Sequence, residues 1–125
     1  MKIKIYYHHT DCGGVVYYAN YLSFLEEART EFFRERGFSI KELADNGTMF
    51  VVARQEVDYK APAVYGDTLE IATKVSDLSA VKMIFEHEIR NQNEKLTTKA
   101  KTTLVCVDNK LRPKAIPEEI RSKFI

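Results

Sequence analysis

Polar and apolar residues alternate along Lys2-Ile3-Lys4-Ile5-Tyr6-Tyr7, the period of a half-buried strand. A short polar stretch with two glycines, His8 to Gly14, follows. From about Tyr17 the period changes: Tyr21, Leu22, Leu25, Ala28, Phe32 and Phe33 recur at helical spacing, and Phe24 widens the apolar surface. Glu26, Glu27, Glu31, Arg34 and Glu35 supply the wetter side, and Gly37 is a natural stop. The spacing predicts one helix of about five turns, apolar enough to be covered on more than one side. Ser39 and Glu42 have the spacing of a capping box, and Asn46-Gly47 ends the short helix they start. Beyond it, Met49–Lys60, Thr68–Ser76, Lys82–Asn91 and Thr97–Val107 read as strands rich in β-branched and aromatic residues. Turns are expected at Ala61-Pro62-Ala63, Asp77-Leu78-Ser79 and Asn91–Glu94, and Pro117 leads into a terminal helical piece, Glu118–Lys123.

Helices grouped early and strands grouped late argue an α+β domain with an antiparallel sheet rather than a doubly wound fold. One long apolar helix and five strands suggest a sheet curled around that helix. The open edges of such a sheet are covered economically by pairing with a second copy. With 125 residues the chain is one domain, 1–125, and 45% apolar and 30% charged residues suit a packed core. No apolar run approaches the ~20 residues that span a bilayer, and no leader is visible, so the cytoplasm is expected. Cys12 and Cys106 have no paired spacing and read as free thiols in a reducing compartment. The balance of 19 basic against 18 acidic residues gives no field that would draw nucleic acid. The basic residues gather from Lys95 onward, where a solvated strand face and a phosphorylated ligand are both consistent readings.

The candidate chemistry lies in His9-Thr10-Asp11-Cys12-Gly13-Gly14-Val15-Val16-Tyr17-Tyr18-Ala19-Asn20-Tyr21. It sets an acid beside two glycines just before the long helix. Glycine lets backbone approach a ligand closely, and a helix start offers unpaired N–H donors with partial positive charge. Such donors suit the oxyanion formed when an acyl carbonyl is attacked, and a nearby carboxylate attacks directly or deprotonates water. On the residues alone, Asp11 is equally a turn residue that caps its own loop.

The stretch Thr10–Tyr21 resembles the signature of the 4-hydroxybenzoyl-CoA thioesterase family of hotdog-fold proteins: an Asp, a Gly three residues on, aliphatic residues, then Asn-Tyr entering the central helix. Val57-Asp58-Tyr59-Lys60-Ala61-Pro62-Ala63-Val64-Tyr65-Gly66-Asp67 is similar to that family's second-strand segment, where Pro-Ala and Gly-Asp recur. The resemblance implies a hotdog fold, hydrolysis of an acyl-CoA to free acid and CoA, and a homodimer or homotetramer with CoA sites between subunits. It implies Asp11 as the catalytic carboxylate, nucleophile or general base, and the Tyr18 backbone N–H as the group polarising the thioester carbonyl. Gly14 permits close approach, while Val15, Asn20 and Tyr21 fall on the substrate side. Neither a metal nor a cofactor is implied beyond the CoA of the substrate. Bacterial short-chain relatives often carry His where Tyr18 stands, whereas the aromatic-acyl branch has Trp-Tyr-Pro-Asn-Tyr. The acyl group, short aliphatic or aromatic, stays open, and so do a non-catalytic acyl-binding module and a hotdog dehydratase.

Other residues invite rival readings. Cys12 beside His8 and His9 suggests a cysteine hydrolase, but adjacent residues on a turn rarely face one another. His8 and His9 on an extended strand would point to opposite faces and could not share a metal. His87, in Phe85-Glu86-His87-Glu88, is expected on a solvent or interface face. Arg29 reads as snorkelling or salt-bridged. Lys60 and Lys82, near strand ends, are candidate partners for the CoA phosphates, though exposed lysines are common.

Overall fold

The computed structural model describes residues 1–124. Its elements run β1 (Lys2–Lys4), α1 (Asn20–Glu35), α2 (Ile40–Asp45), β2 (Met49–Tyr59), β3 (Thr68–Leu78), β4 (Lys82–Arg90), β5 (Leu96–Val107) and α3 (Glu118–Phe124). The five strands form one antiparallel sheet in the order β1-β3-β4-β5-β2, so β1 and β2 are its edges. Long registers such as Met49 opposite Val107 and Tyr59 opposite Thr98 hold β2 to β5. This is the hotdog arrangement, α+β, with α1 as the filling.

The helix forms where its apolar residues recur, and the face it buries is Tyr21, Phe24, Leu25, Ala28, Phe32 and Phe33. Its end is set by Gly37, at φ +89°, where the N–H groups of Gly37 and Phe38 turn back to the carbonyls of Arg34 and Phe33. That left-handed step favours glycine and satisfies carbonyls that a helix end leaves bare. Ser39 accepts from the Glu42 N–H at 3.2 Å and starts α2.

Three boundaries differ from the reading by pattern. The first strand stops at Lys4, because Tyr7–His9 wind into a single tight turn held by Tyr6 N–H to His9 Nδ1 at 2.9 Å and Thr10 Oγ1 to the Tyr7 carbonyl at 2.7 Å. The long helix begins at Asn20 instead of near Tyr17, because Val15 and Val16 are held extended in bridges to Val64 and Thr10 and the Tyr17 N–H continues that link to the His9 carbonyl. The turn expected at Asp77-Leu78-Ser79 moves on: β3 absorbs a bulge between Val75 and Asp77 and continues to Leu78, and Ser79 then pairs with Lys82.

The core falls into two apolar clusters. Near the N-terminal half of α1 it gathers Ile5, Val16, Tyr21, Phe24, Leu25, Leu69 and Ile89. Around the C-terminal half it gathers Phe32, Phe33, Met83, Phe85, Ile120 and Phe124. Between them His87, 1% exposed, faces inward beneath α1. That corrects its expected place on a solvent or interface face: Met83, Phe85, His87 and Ile89 all lie on the covered side of β4.

Candidate active site

Asp11 sits at the tip of a small hairpin whose legs are tied by Asp11 N–H to the Val15 carbonyl at 3.0 Å and by an antiparallel bridge between Thr10 and Val16. The tip closes through the Gly14 N–H to the Asp11 carbonyl at 3.0 Å, with Gly14 at φ +80°. A side chain there would strain the backbone. One carboxylate oxygen of Asp11 accepts from the Gly13 N–H at 2.8 Å, so the acid does cap its own turn. Its other oxygen has no partner among the described residues, and the residue is exposed. Turn residue and available acid are therefore one and the same group.

The second sequence stretch is the wall behind this hairpin. Val16 donates to the Ala63 carbonyl at 2.8 Å, and Val15 bridges Val64. Asp67 fixes that wall: one oxygen accepts from the Val64 N–H at 2.9 Å and the other from Gln92 Nε2 at 3.0 Å. Val16 and Ala63 are buried, so the exposed tip stands on a packed base.

The entry to α1 lies alongside. The Tyr17 N–H and Asn20 Nδ2 both bond the His9 carbonyl, at 2.9 and 2.8 Å, which clamps the helix start to the hairpin. No side chain caps the helix, and the Tyr18 N–H has no partner among the described residues. An uncapped N–H at a helix start is a donor with partial positive charge. The Tyr59 hydroxyl donates to the Tyr18 carbonyl at 3.1 Å and steadies this peptide from β2. Tyr21 is buried edge-on to Tyr59, with ring centroids 5.5 Å apart, and burial raises its hydroxyl above the ordinary pKa. Burial, with His8 adding to it, lowers His9.

A cleft of about 310 Å³ opens here, lined by Val15, Tyr18, Tyr21, Tyr59, Lys60 and Pro62 among others. Val15, Tyr18, Tyr21 and Lys60 line this cleft, and Asp11, Gly14 and Asn20 flank it, outside its lining, through the hairpin and the clamp at His9. Lys82 does neither: it begins β4, whereas the hairpin neighbours that strand's far end through Asp67 and Gln92. The length of β4, roughly 25 Å, separates them within one chain. Tyr59 and Asp67 were not singled out from the sequence. Tyr59 had a readable signal, since it shares the face of Val57 two residues before it on an alternating strand.

Two premises about neighbouring residues change. His8 and His9 share a turn instead of alternating along a strand, and their ring centroids lie 4.0 Å apart. Among the described residues, no group of three or more His, Cys, Asp or Glu is placed to hold a metal. Arg29 is not salt-bridged among them: its hydrogen bond runs to Thr102 Oγ1 at 3.3 Å.

A family model for the thioesterase-like superfamily matches residues 7–124. The chain belongs to that family. It is 40% identical over 123 residues to the acyl-CoA thioester hydrolase YbgC of Escherichia coli O6:H1, covering 98% of this chain and 92% of that protein. The acyl-CoA thioesterase YbgC of Haemophilus influenzae is 37% identical over 124 residues, covering 98% and 90%. Among solved structures, DHNA-CoA thioesterase from Staphylococcus aureus superposes with a TM-score of 0.94 at 26% identity, covering 99% of this chain and 86% of that one. The fold of this thioesterase family member is that of a hotdog enzyme, and none of its helices is long and apolar enough to cross a membrane among the described residues.

Proposed function

We propose that this enzyme, an acyl-CoA thioesterase, hydrolyses a short-chain aliphatic or aromatic acyl-CoA through Asp11. The observation that carries the reading is the pairing of an acid oxygen and the Tyr18 N–H, both without a partner among the described residues, on two segments clamped together through His9. The thioester carbonyl oxygen points at the Tyr18 N–H, which stabilises the negative charge that develops on attack. Asp11 either attacks the carbonyl carbon and forms an anhydride that water opens, or takes a proton from the attacking water. In both routes CoA leaves as the thiol. The bond from the Gly13 N–H holds the acid's orientation while leaving its other oxygen to react.

Lys60, exposed on the rim of the cleft, is placed to meet the phosphates of CoA, while Lys82 reaches that ligand only from a second copy. The edge strand β2 supports such an assembly. Its backbone is open on one side, and Val51 and Val52 stand 38% and 52% exposed on it. Pairing β2 with its symmetry mate satisfies that open row of backbone groups, as a homodimer or a dimer of dimers. Exposed Cys12 and buried Cys106 are free thiols, in keeping with the cytoplasm.

The test is thiol release from a panel of aliphatic and aromatic acyl-CoAs, with the wild-type protein and Asp11→Asn. The asparagine keeps the turn, because its side-chain oxygen still accepts from Gly13. A rate lower by at least ~10²-fold is expected, the scale of a lost acid–base group. A variant retaining most of the wild-type activity would remove Asp11 from the mechanism. Carboxylate and backbone donors suffice for this chemistry, so the rate is expected to be unchanged after dialysis against a chelator. A rate restored only by added metal ions would contradict that.

A further inference from the structure

Two polar pairs on neighbouring rungs lie on the covered face of the sheet between the two apolar clusters. Gln55 on β2 lies opposite Thr102 on β5, and His87 on β4 lies opposite Thr73 on β3. The Thr102 hydroxyl donates to Gln55 Oε1 at 2.8 Å, and Arg29 reaches from α1 to Thr102 at 3.3 Å. A guanidinium carries five N–H donors, and Thr102 occupies one of them. Among the described residues no carboxylate forms an ion pair with Arg29, although burial disfavours its charge and Glu26 is the acid that offsets this. Both ring nitrogens of His87 are likewise buried without a partner. Among the described residues, the slab between α1 and the sheet thus holds one guanidinium with no carboxylate in ion-pair contact. Half-burying an arginine without a counter-charge is costly.

Arg29 also lines a cleft of about 340 Å³ between α1, α2 and the start of β2. Its walls are mostly apolar, among them Phe33, Leu43, Phe50, Val52 and Leu104, and Glu26 and Thr30 line it beside Arg29 on α1. Glu26 is an exposed residue that accepts from Thr30 at 3.3 Å. The volume falls at the low end of small-molecule sites, roughly 300–1,000 Å³, which suits an acyl tail and not a nucleotide. This cleft and the one beside Tyr18 share no lining residue, but both are lined by α1 and β2 residues, and Arg29 lies on the order of 13 Å up the helix from Asn20. The covered face of β2 presents Phe50, Val52, Gln55 and Val57, none of them acidic.

We propose that this cleft receives the far end of the acyl group and that Arg29 selects acyl chains ending in a carboxylate. The proposal rests on the acyl-CoA reading above for its substrate, but the cleft's preference for an anion is measurable without turnover. In the first arm, titration calorimetry compares octanoate with octan-1-ol on the full chain. Octanoate binds at least ~10-fold more tightly to the wild type, the scale of one charge-assisted hydrogen bond, and Arg29→Met abolishes the difference. In the second, the ratio of kcat/KM for adipoyl-CoA over hexanoyl-CoA exceeds ~10 in the wild type, approaches one in Arg29→Met, and is partly kept by Arg29→Lys. Equal binding of the two probes, or a preference that survives Arg29→Met, overturns the proposal. So does an Arg29→Met protein that elutes as a smaller oligomer, which would place the acceptor for Arg29 on a second copy. Absence of any thioester hydrolysis by the wild type would defeat the catalytic reading, and the first arm would still decide the cleft.

Discussion

At its N-terminal end α1 is entered through an exposed hairpin in which backbone hydrogen bonds do the holding; at its C-terminal end Phe32 and Phe33 are sunk among Phe85 and Phe124. The first region keeps an acid and a peptide N–H within reach of a ligand. The second packs its aromatic rings on one another, with pairs such as Phe33–Phe124 at 4.7 Å between centroids. Backbone bonds position polar groups without burying them, whereas burial supplies stability without leaving polar groups available. The division predicts that substitutions in the two regions fail in different assays.

The largest effect is expected in the buried half. Phe85→Ala leaves a cavity under α1 and costs about 3–5 kcal/mol by denaturant titration, while the protein that stays folded keeps its turnover. A fall in turnover beyond the loss of folded protein would break the division. His87 sharpens it through pH. Burial first, and Arg29 second, lower its pKa from 6.5 to about 4. Between those values the unfolded chain binds the proton and the folded one does not. Stability from keeping this ring neutral is therefore complete above about pH 6.5 and is lost as the pH falls toward 4, by about 3 kcal/mol. Stability measured against pH for His87→Gln should lack that slope, and an identical slope in both proteins would exclude His87 as its source.

At the hairpin the readout reverses. Asp11→Asn is expected to lose at least ~10² in rate with its melting transition unmoved, since the group is exposed and its turn survives. The smallest effect tests the scaffold of that turn. Gly14→Ala meets no atom within 4 Å, so its cost is backbone strain alone, about 1–2 kcal/mol at φ +80°. If the hairpin relaxes to relieve it, the rate falls with stability nearly unchanged. Equal rates in both proteins would mean that the acid does not need this geometry.

Much of this was legible along the chain. The helical spacing of Tyr21, Leu25, Ala28 and Phe32, the stop at Gly37, the cap at Ser39 and the turn at Asn91 all act locally, and each appears where the pattern places it. Asp11, Gly14, Asn20 and Tyr21 are within a dozen residues of one another, so their gathering needed only a turn and a helix start. Misplaced boundaries have local competitors as their cause: the His9 ring and the Thr10 hydroxyl offered the backbone a turn where alternation alone continued a strand.

The sequence by itself determined the order of elements, the family and the loop on which the acid stands, because these rest on neighbouring residues and on a contiguous motif. Tertiary structure alone decided that His87 turns inward, that Arg29 meets Thr102 and, among the described residues, no carboxylate, that Asp67 braces the Asp11 hairpin from fifty-odd residues away, and that Lys82 lies at the wrong end of β4 to join it within one chain. Period-two alternation says which residues share a face and is silent on which face the helix will cover. That choice is made by long-range packing, and with it the sites of the molecule that carry charge without a partner.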